Sequence, residues 1–358
     1  MAKIKMPEFD THKKTNILEF NREELVAWLA GRDIAAYRAD QILKWIYLRQ
    51  IDSFERMTDI SKDIRSLLAR NFAVGRLGVE RIEKSQDGSR KYLFRLDDGR
   101  HIETVLIPER DHDTLCVSSQ VGCAQGCLFC LTAAGGFERN LTRAEIIAQV
   151  RDIKNELEDP GRLSNIVFMG MGEPLANYKN LVSAIGAITD NDAGLRFAGR
   201  RVTVSTAGLV PKIVALGRDT KVNLAVSLNA TDNETRSRLM PINRTYPLEA
   251  LLEACRQFPL QPGRRITFEY ILIKGINDTP DDARRLAKLL QPIRSKINLI
   301  PFNPHEGCDF ERPSEAAMKA FYDILFGKNY TVIVRRSKGQ DISAACGQLR
   351  ARSAGQSA

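Results

Sequence analysis

From about residue 109 onward the chain repeats one pattern six times: a short apolar strand, a loop and, in most repeats, an amphipathic helix. The strands read TLCVSS, NIVFMG, RVTVST, VNLAVSL, ITFEYILI and INLIPF. Near-continuous apolar runs of this length suit strands buried on both faces, and helical crossovers join parallel neighbours. Thr142-x-x-Glu145 predicts a capping box opening a helix over Leu141–Glu158. Thr279 predicts the cap of a second helix over Pro280–Leu290, with proline in its first turn. The pattern predicts an α/β fold on a parallel sheet, and periodicity alone leaves open an open barrel or a doubly wound sheet. In both, ligands gather at the carboxyl ends of the strands.

The residues ahead of these repeats have another character. Residues 1–15 read as a flexible tail, and 16–75 as a helical accessory domain in three short pieces. Their apolar faces are Leu25, Trp28 and Leu29, then Ile42, Leu43, Trp45 and Ile46, then Ile64, Leu67 and Leu68. Gly31 marks a stop and Ser61 a cap. Arginines and lysines between the faces suit either a solvated bundle or a module that touches RNA. Residues 76–108 alternate apolar and polar, and Asp87-Gly88 and Asp98-Gly99 predict type I′ turns, hence a three-stranded antiparallel meander.

Composition enters at partners and compartment. With 43% hydrophobic and 27% charged residues the chain is ordinary globular protein, not a disordered one. Lysine and arginine total 53 against 44 acidic residues, and the net charge of +9 favours a polyanionic partner. No apolar run reaches the ~20 residues of a membrane span, and the start lacks the apolar stretch of a secretory signal. We expect a cytoplasmic protein with no membrane partner. Seven cysteines, an odd number in a reduced chain, argue against a disulfide framework and towards metal or catalytic use.

Cys123-Ala-Gln-Gly-Cys127-Leu-Phe-Cys130 is the strongest local signal, a C-x3-C-x2-C loop behind the first repeat strand. Three thiolates on a tight loop can wrap one corner of a cubane cluster and leave its fourth iron open to a small chelating molecule. The alternative is a structural zinc site with Cys116 or a histidine as fourth ligand. Zinc loops more often come as C-x2-C pairs, and His12, His101, His112 and His305 show no ligand spacing. Gly170-Met171-Gly172-Glu173-Pro174 follows the second strand; its glycines allow close backbone approach, and its carboxylate can accept from a ligand's ammonium. It misses the dinucleotide fingerprint at Leu175, and no phosphate-binding loop appears, so hydride transfer and ATP hydrolysis are not expected.

The cysteine loop with Phe129 before its last thiol, and the Gly-Glu-Pro loop, resemble the radical S-adenosylmethionine (SAM) superfamily. Asp341-Ile342-Ser343-Ala344-Ala345-Cys346-Gly347-Gln348-Leu349 narrows this, because it resembles the carboxyl-terminal motif of the RlmN/Cfr family, radical SAM methyltransferases acting on RNA adenosine. Further matching stretches are YRADQI from Tyr37, MTDIS from Met57, IETV from Ile102, VSSQVGC from Val117, VTVSTAG from Val202 and NLIPFNP from Asn298. They run in order through nearly the whole chain.

The resemblance implies an open (β/α)6 partial barrel over 109–344 and a segment 345–358 carrying a methyl-carrier cysteine. It implies a [4Fe-4S] cluster on Cys123, Cys127 and Cys130, and SAM held by Gly172, Glu173, Ser205, Ser227, Leu228, Asn229 and Asn303. The family commonly has Ser-Leu-His where this chain has Ser227-Leu228-Asn229. Carbon 2 of adenine has no lone pair, so methyl-cation transfer is blocked and a radical route is needed. As the resemblance implies, one SAM methylates Cys346, and a second is cleaved to a radical that activates that methyl for addition to the ring. Cys116 matches the resolving cysteine, ending in a disulfide with Cys346, and Glu103 the proton acceptor.

The implied partners are 23S rRNA and tRNA, an electron donor of the flavodoxin or ferredoxin type, and a thiol reductant; a monomer is expected. Arg196, Arg200 and Arg201, Arg264-Arg265, and Arg335-Arg336 with Lys338 are candidate phosphate contacts or, equally, solvated faces. A carbon-8 relative shares these features, and a zinc-stapled RNA-binding protein is the alternative from another class. Cys255 and Cys308 match no motif and read as a core thiol and a loop thiol.

Overall fold

The computed structural model describes residues 14–305, 307–335 and 337–351. Most of the expected tail, His12, Arg336 and the last seven residues of the carboxyl-terminal segment lie outside them. The chain forms two compact units: one of residues up to Gly78 with Leu141–Leu163 and Lys179–Ala198, the other of the remainder.

In the first unit the expected helices form at Arg22–Ala30, Tyr37–Tyr47 and Lys62–Asn71, joined by Arg143–Glu156 and most of Tyr178–Thr189. Local chemistry sets their starts. Asn21 accepts from the Glu24 amide while the Glu24 carboxylate takes the Asn21 amide, and Thr142 and Glu145 do the same. Trp28 and Phe20 pack on Phe72 with ring centroids 4.7 and 5.2 Å apart. The two later helices come from the repeat region, and buried Arg143 ties that stretch to the carbonyl of Leu18.

The second unit is built on one ten-stranded sheet. Its strands are β1 (Gly78–Lys84), β2 (Arg90–Arg95), β3 (His101–Pro108), β4 (Asp113–Cys116) and β5 (Leu163–Phe168). They continue as β6 (Val202–Thr206), β7 (Asn223–Ser227), β8 (Ile266–Leu272), β9 (Ser295–Pro301) and β10 (Val332–Val334). Every strand lies beside its successor in the chain. β2 to β4 pair antiparallel and β5 to β10 pair parallel. The expected meander and the expected (β/α)6 core are therefore one continuous sheet. A short hairpin, Gln120–Gly122 with Phe137–Asn140, leaves the sheet after β4 and carries the cysteine loop.

The type I′ turns are corrected. A type I′ turn needs positive φ at both central residues. Only Gly88 (φ 85°) and Gly99 (φ 83°) are left-handed. Ser85 donates to Ser89 O at 2.8 Å and Leu96 to Arg100 O at 2.7 Å, which closes three-residue loops with glycine last. Asp87 and Asp98 instead accept the amides of Ser89 and Arg100, two residues on.

Candidate active site

The parallel strands end on one pocket. Cys123, Cys127 and Cys130 line it beside Gly172, Glu173, Ser205, Ser227, Glu269 and Cys346. The cysteine loop is shaped by backbone bonds: Cys123 N–H donates to Gly136 O at 2.7 Å, Cys130 to Cys127 O at 3.1 Å and Leu128 to Leu239 O at 3.0 Å. Gly122, at φ 72°, lets the loop leave the hairpin where a Cβ would strike the Gly136 carbonyl.

Burial pushes the Cys123 thiol up to about 11 and raises Cys127 and Cys130 too, the neighbouring thiols adding to the effect. Three soft donors that resist ionisation alone suit a cationic metal centre, which neutralises thiolates as they form. Among the described residues no three His, Cys, Asp or Glu groups converge as ligands of a single ion. The corners of a cubane bind separate irons, so thiols spread around one pocket fit a [4Fe-4S] cluster better than zinc.

Gly172 sits at φ 99°, and a Cβ there would lie 2.5 Å from Gln120 Cβ. Glu173 Oε2 accepts from Ala207 N–H at 2.7 Å and Oε1 from Leu175 N–H at 3.0 Å, so this buried carboxylate ties the β5 loop to the end of β6. Ser205 and Ser227 face the pocket from β6 and β7. Leu228 and Asn229 are buried behind it; Asn229 Oδ1 accepts from Ile271 N–H at 2.9 Å and Nδ2 approaches Met240 Sδ at 3.2 Å. At φ 58° Asn229 spends its side chain inside the protein. Asn303 reaches the carboxyl-terminal segment, Nδ2 lying 3.4 Å from Cys346 O.

That segment is held at every step. Asp341 accepts from Ser85 Oγ at 2.6 Å and Gln86 N–H at 3.0 Å. Leu131 N–H donates to Gly347 O at 2.8 Å, Gln348 Nε2 to Pro304 O at 3.0 Å and Thr132 Oγ1 to Leu349 O at 2.6 Å. Gly347 takes φ 82°. Cys346 thereby lines the same pocket as Cys123, Cys127 and Cys130. Burial pushes Cys116, at the end of β4, up to about 12, with Cys346 adding to the rise and Arg335 opposing it. Glu103 on β3 is 1% exposed and accepts the Arg350 amide at 2.8 Å. Its burial raises its proton affinity, against the pull of Lys91.

Three groups in and around the site escape sequence reasoning. Glu269 interrupts an apolar strand; its Oε1 accepts from Asn298 Nδ2 at 2.9 Å and its Oε2 has no hydrogen-bond partner among the described residues. Arg236 is buried and donates to the carbonyls of Leu228, Ala207 and Ser227, fixing the ends of β6 and β7. Lys91 is buried on β2. A charged residue inside an apolar run was the available signal for Glu269 alone. Cys255 is a core thiol, and Cys308 lies in a loop where its thiol is 3.7 Å from Leu128 O. The basic pairs Arg200-Arg201 and Arg264-Arg265 precede β6 and β8, at the amino ends of the strands and opposite the pocket.

The profile of the ribosomal RNA large subunit methyltransferase N-terminal domain matches residues 15–74, and that of the radical SAM superfamily residues 117–290. The chain is 59% identical to the dual-specificity RNA methyltransferase RlmN of Desulfosudis oleivorans, over 94% of this chain and 90% of that one. Against the protein of the same name from Geobacter sulfurreducens the identity is 56%, over 92% and 90%. A crystal structure of a radical SAM methyltransferase from Sphaerobacter thermophilus superposes with a TM-score of 0.88 at 44% identity, covering 94% of this chain and 100% of that one. With three thiols gathered on a radical SAM barrel, and relatives of this closeness over most of its length, the chain belongs to the RlmN family of radical SAM RNA methyltransferases.

Proposed function

We propose that the chain methylates carbon 2 of adenosine in the peptidyl-transferase region of 23S rRNA, and of the adenosine 3′ of the anticodon in some tRNAs. One observation carries this reading: a single short segment places Cys346 beside the cluster thiols and, four residues on, the Arg350 amide on Glu103. The segment that bears the proposed carrier thiol thus also contacts, through the Arg350 amide, the proposed base on β3.

Bound at Cys123, Cys127 and Cys130 and along Gly172, Glu173, Ser205 and Ser227, the [4Fe-4S] cluster and SAM supply the methyl group and the one-electron chemistry that activates it. Cys346 accepts the methyl on Sγ by displacement, losing its thiol proton. The activated methylene then bonds to the adenine ring, joining protein and RNA. Glu103 takes the proton from the substituted ring carbon, and the C–H electron pair stays in the ring. The adduct's one unpaired electron must pass to an acceptor, which the cluster would supply, leaving a closed-shell thioether. Cys116 attacks Cys346 Sγ; the sulfur–carbon bond breaks, its electron pair stays on carbon, and a proton completes the new methyl. The two sulfurs end as a disulfide, which a thiol reductant must open before the next turnover. Leu228, Asn229 and Asn303 act from behind the pocket, holding its wall and the carrier segment. An electron donor of the flavodoxin or ferredoxin type and a cytoplasmic location complete the proposal; among the described residues no helix is long and apolar enough to cross a membrane.

Nucleoside mass spectrometry after anaerobic incubation with unmodified 23S rRNA or tRNA tests the reaction. The expected product is 2-methyladenosine in both pools, and 8-methyladenosine would instead assign the carbon-8 activity. The Cys116→Ala protein is expected to accumulate a covalent RNA adduct. Continued methylation by that variant without an adduct would remove Cys116 from the release step.

A further inference from the structure

Lys91 is a buried amine that the reaction above does not use. On β2 it is 7% exposed, with Nζ 2.8 Å from Glu83 Oε2 and 3.3 Å from Glu103 Oε1, and it donates to Ile342 O at 2.7 Å. The Ile342 carbonyl accepts a hydrogen bond from this ammonium, and the two carboxylates lie within ion-pair distance of it. Ile342 lies four residues before Cys346. One side chain therefore joins the base to the carrier segment.

We propose that Lys91 is the positioning residue of the release step, holding the Glu103 carboxylate against the carrier segment and sharing its charge between Glu103 and Glu83. This rests on Glu103 being the base. The charged groups facing Glu103 are Lys91 from β2 and Glu83 from β1; the carboxyl-terminal segment contributes the Arg350 amide, and β3's other neighbours here, Ser118 and Met171, are uncharged. With both carboxylates ionised the trio carries one net negative charge. When Glu103 takes the ring proton, Lys91 and Glu83 remain as a neutral pair. A glutamate in a private ion pair would instead leave a buried ammonium unpaired, at considerable cost. The second carboxylate thus makes proton uptake easier, and the lysine keeps the base ionised and aimed beforehand.

The two neighbours act in opposite directions on Glu103: Lys91 lowers its proton affinity and Glu83 raises it. Anaerobic single turnovers of the reconstituted full-length protein with end-labelled RNA, quenched at intervals and run on denaturing gels, give the rate of adduct decay at each pH. That rate should rise with pH as Glu103 ionises. Lys91→Met should move the rise to higher pH, by about one unit, slowing release below the midpoint about tenfold. Glu83→Gln should move it to lower pH. Shifts in the same direction, or an unmoved midpoint in both variants, would overturn the proposal. Lys91→Arg, which keeps the charge and the donors, should restore the wild-type midpoint. If Lys91→Met does not fold, Glu83→Gln decides alone, since that carboxylate is partly exposed. The base itself is checked separately: an unchanged decay profile in Glu103→Gln removes Glu103 from the reaction, whereas a stalled adduct there with unmoved Lys91 and Glu83 variants removes only the role of Lys91.

Discussion

Gly172 has a structural duty that the sequence reading does not contain. Sequence reasoning assigns its glycine to close approach of a ligand. The structure gives it a nearer duty: at φ 99° it lets the loop cross Gln120, whose amide oxygen holds the Glu173 N–H at 2.8 Å. Gly172→Ala combines left-handed strain with a clash and is expected to cost roughly 2–4 kcal/mol. Urea unfolding of the cluster-free protein measures this, and a loss below about 0.5 kcal/mol would contradict the packing described. Cysteines divide as sharply. Burial holds Cys116 and Cys255 at about 12, so they carry almost no thiolate at neutral pH. Iodoacetamide should label Cys308 in the folded cluster-free protein well before either, as peptide mass spectrometry would show. Equal labelling of Cys116 and Cys308 would mean that β4 opens readily. The sequence separates Cys255 as a core thiol from Cys308 as a loop thiol, but how far burial raises Cys116 and Cys255 is made by distant chain segments packing over them.

At the scale of elements, legibility follows how local the cause is. The helices at Arg143–Glu156 and Pro280–Leu290 are capped as their first four residues predict, because a capping box is complete within one turn. Turn type in the meander is not so local. An Asp-Gly pair fits two loop lengths, and strand register, set by cross-strand packing, selects the longer. The carboxyl-terminal motif is recognisable as a string, yet its purpose is visible only in space: Asp341 anchors to the β1–β2 turn, and Gly339 N–H donates to Asp87 at 2.8 Å in that turn. Asp341→Ala removes both the Ser85 and Gln86 bonds. Trypsin should then cut after Lys338 several-fold faster while the two units' helices and strands resist, a result readable by gel and mass spectrometry. Unchanged cleavage would show that the Leu131, Thr132 and Pro304 contacts suffice to hold the segment.

The whole molecule carries a net charge of +9, but where that charge sits decides what it does. Arginines adjacent in sequence suggest phosphate contacts, and a parallel sheet places them by strand direction. Arg200 and Arg201 lead into β6, Arg264 and Arg265 into β8, and Lys221 into β7. Arg264 bonds the Lys221 carbonyl, and Asn223 the Arg200 carbonyl at 2.8 Å, so these residues form one basic rim. The pocket lies at the other end of strands five to seven residues long, a separation of roughly 15–20 Å at ~3.3 Å per residue. In the proposed reaction a base delivered to Cys346 would enter at the carboxyl ends, and the rim lies at the opposite ends of the strands. Each phosphate neutralised by a cation adds about 0.7–0.9 to the slope of log affinity against log salt. The double variant Arg200→Glu with Arg201→Glu should therefore leave the salt slope of binding to a short RNA hairpin unchanged, and adduct formation by single turnover within about twofold of wild type. A slope flatter by about two would place both arginines on phosphates. The RNA would then have to wrap from the pocket to the opposite end of the sheet.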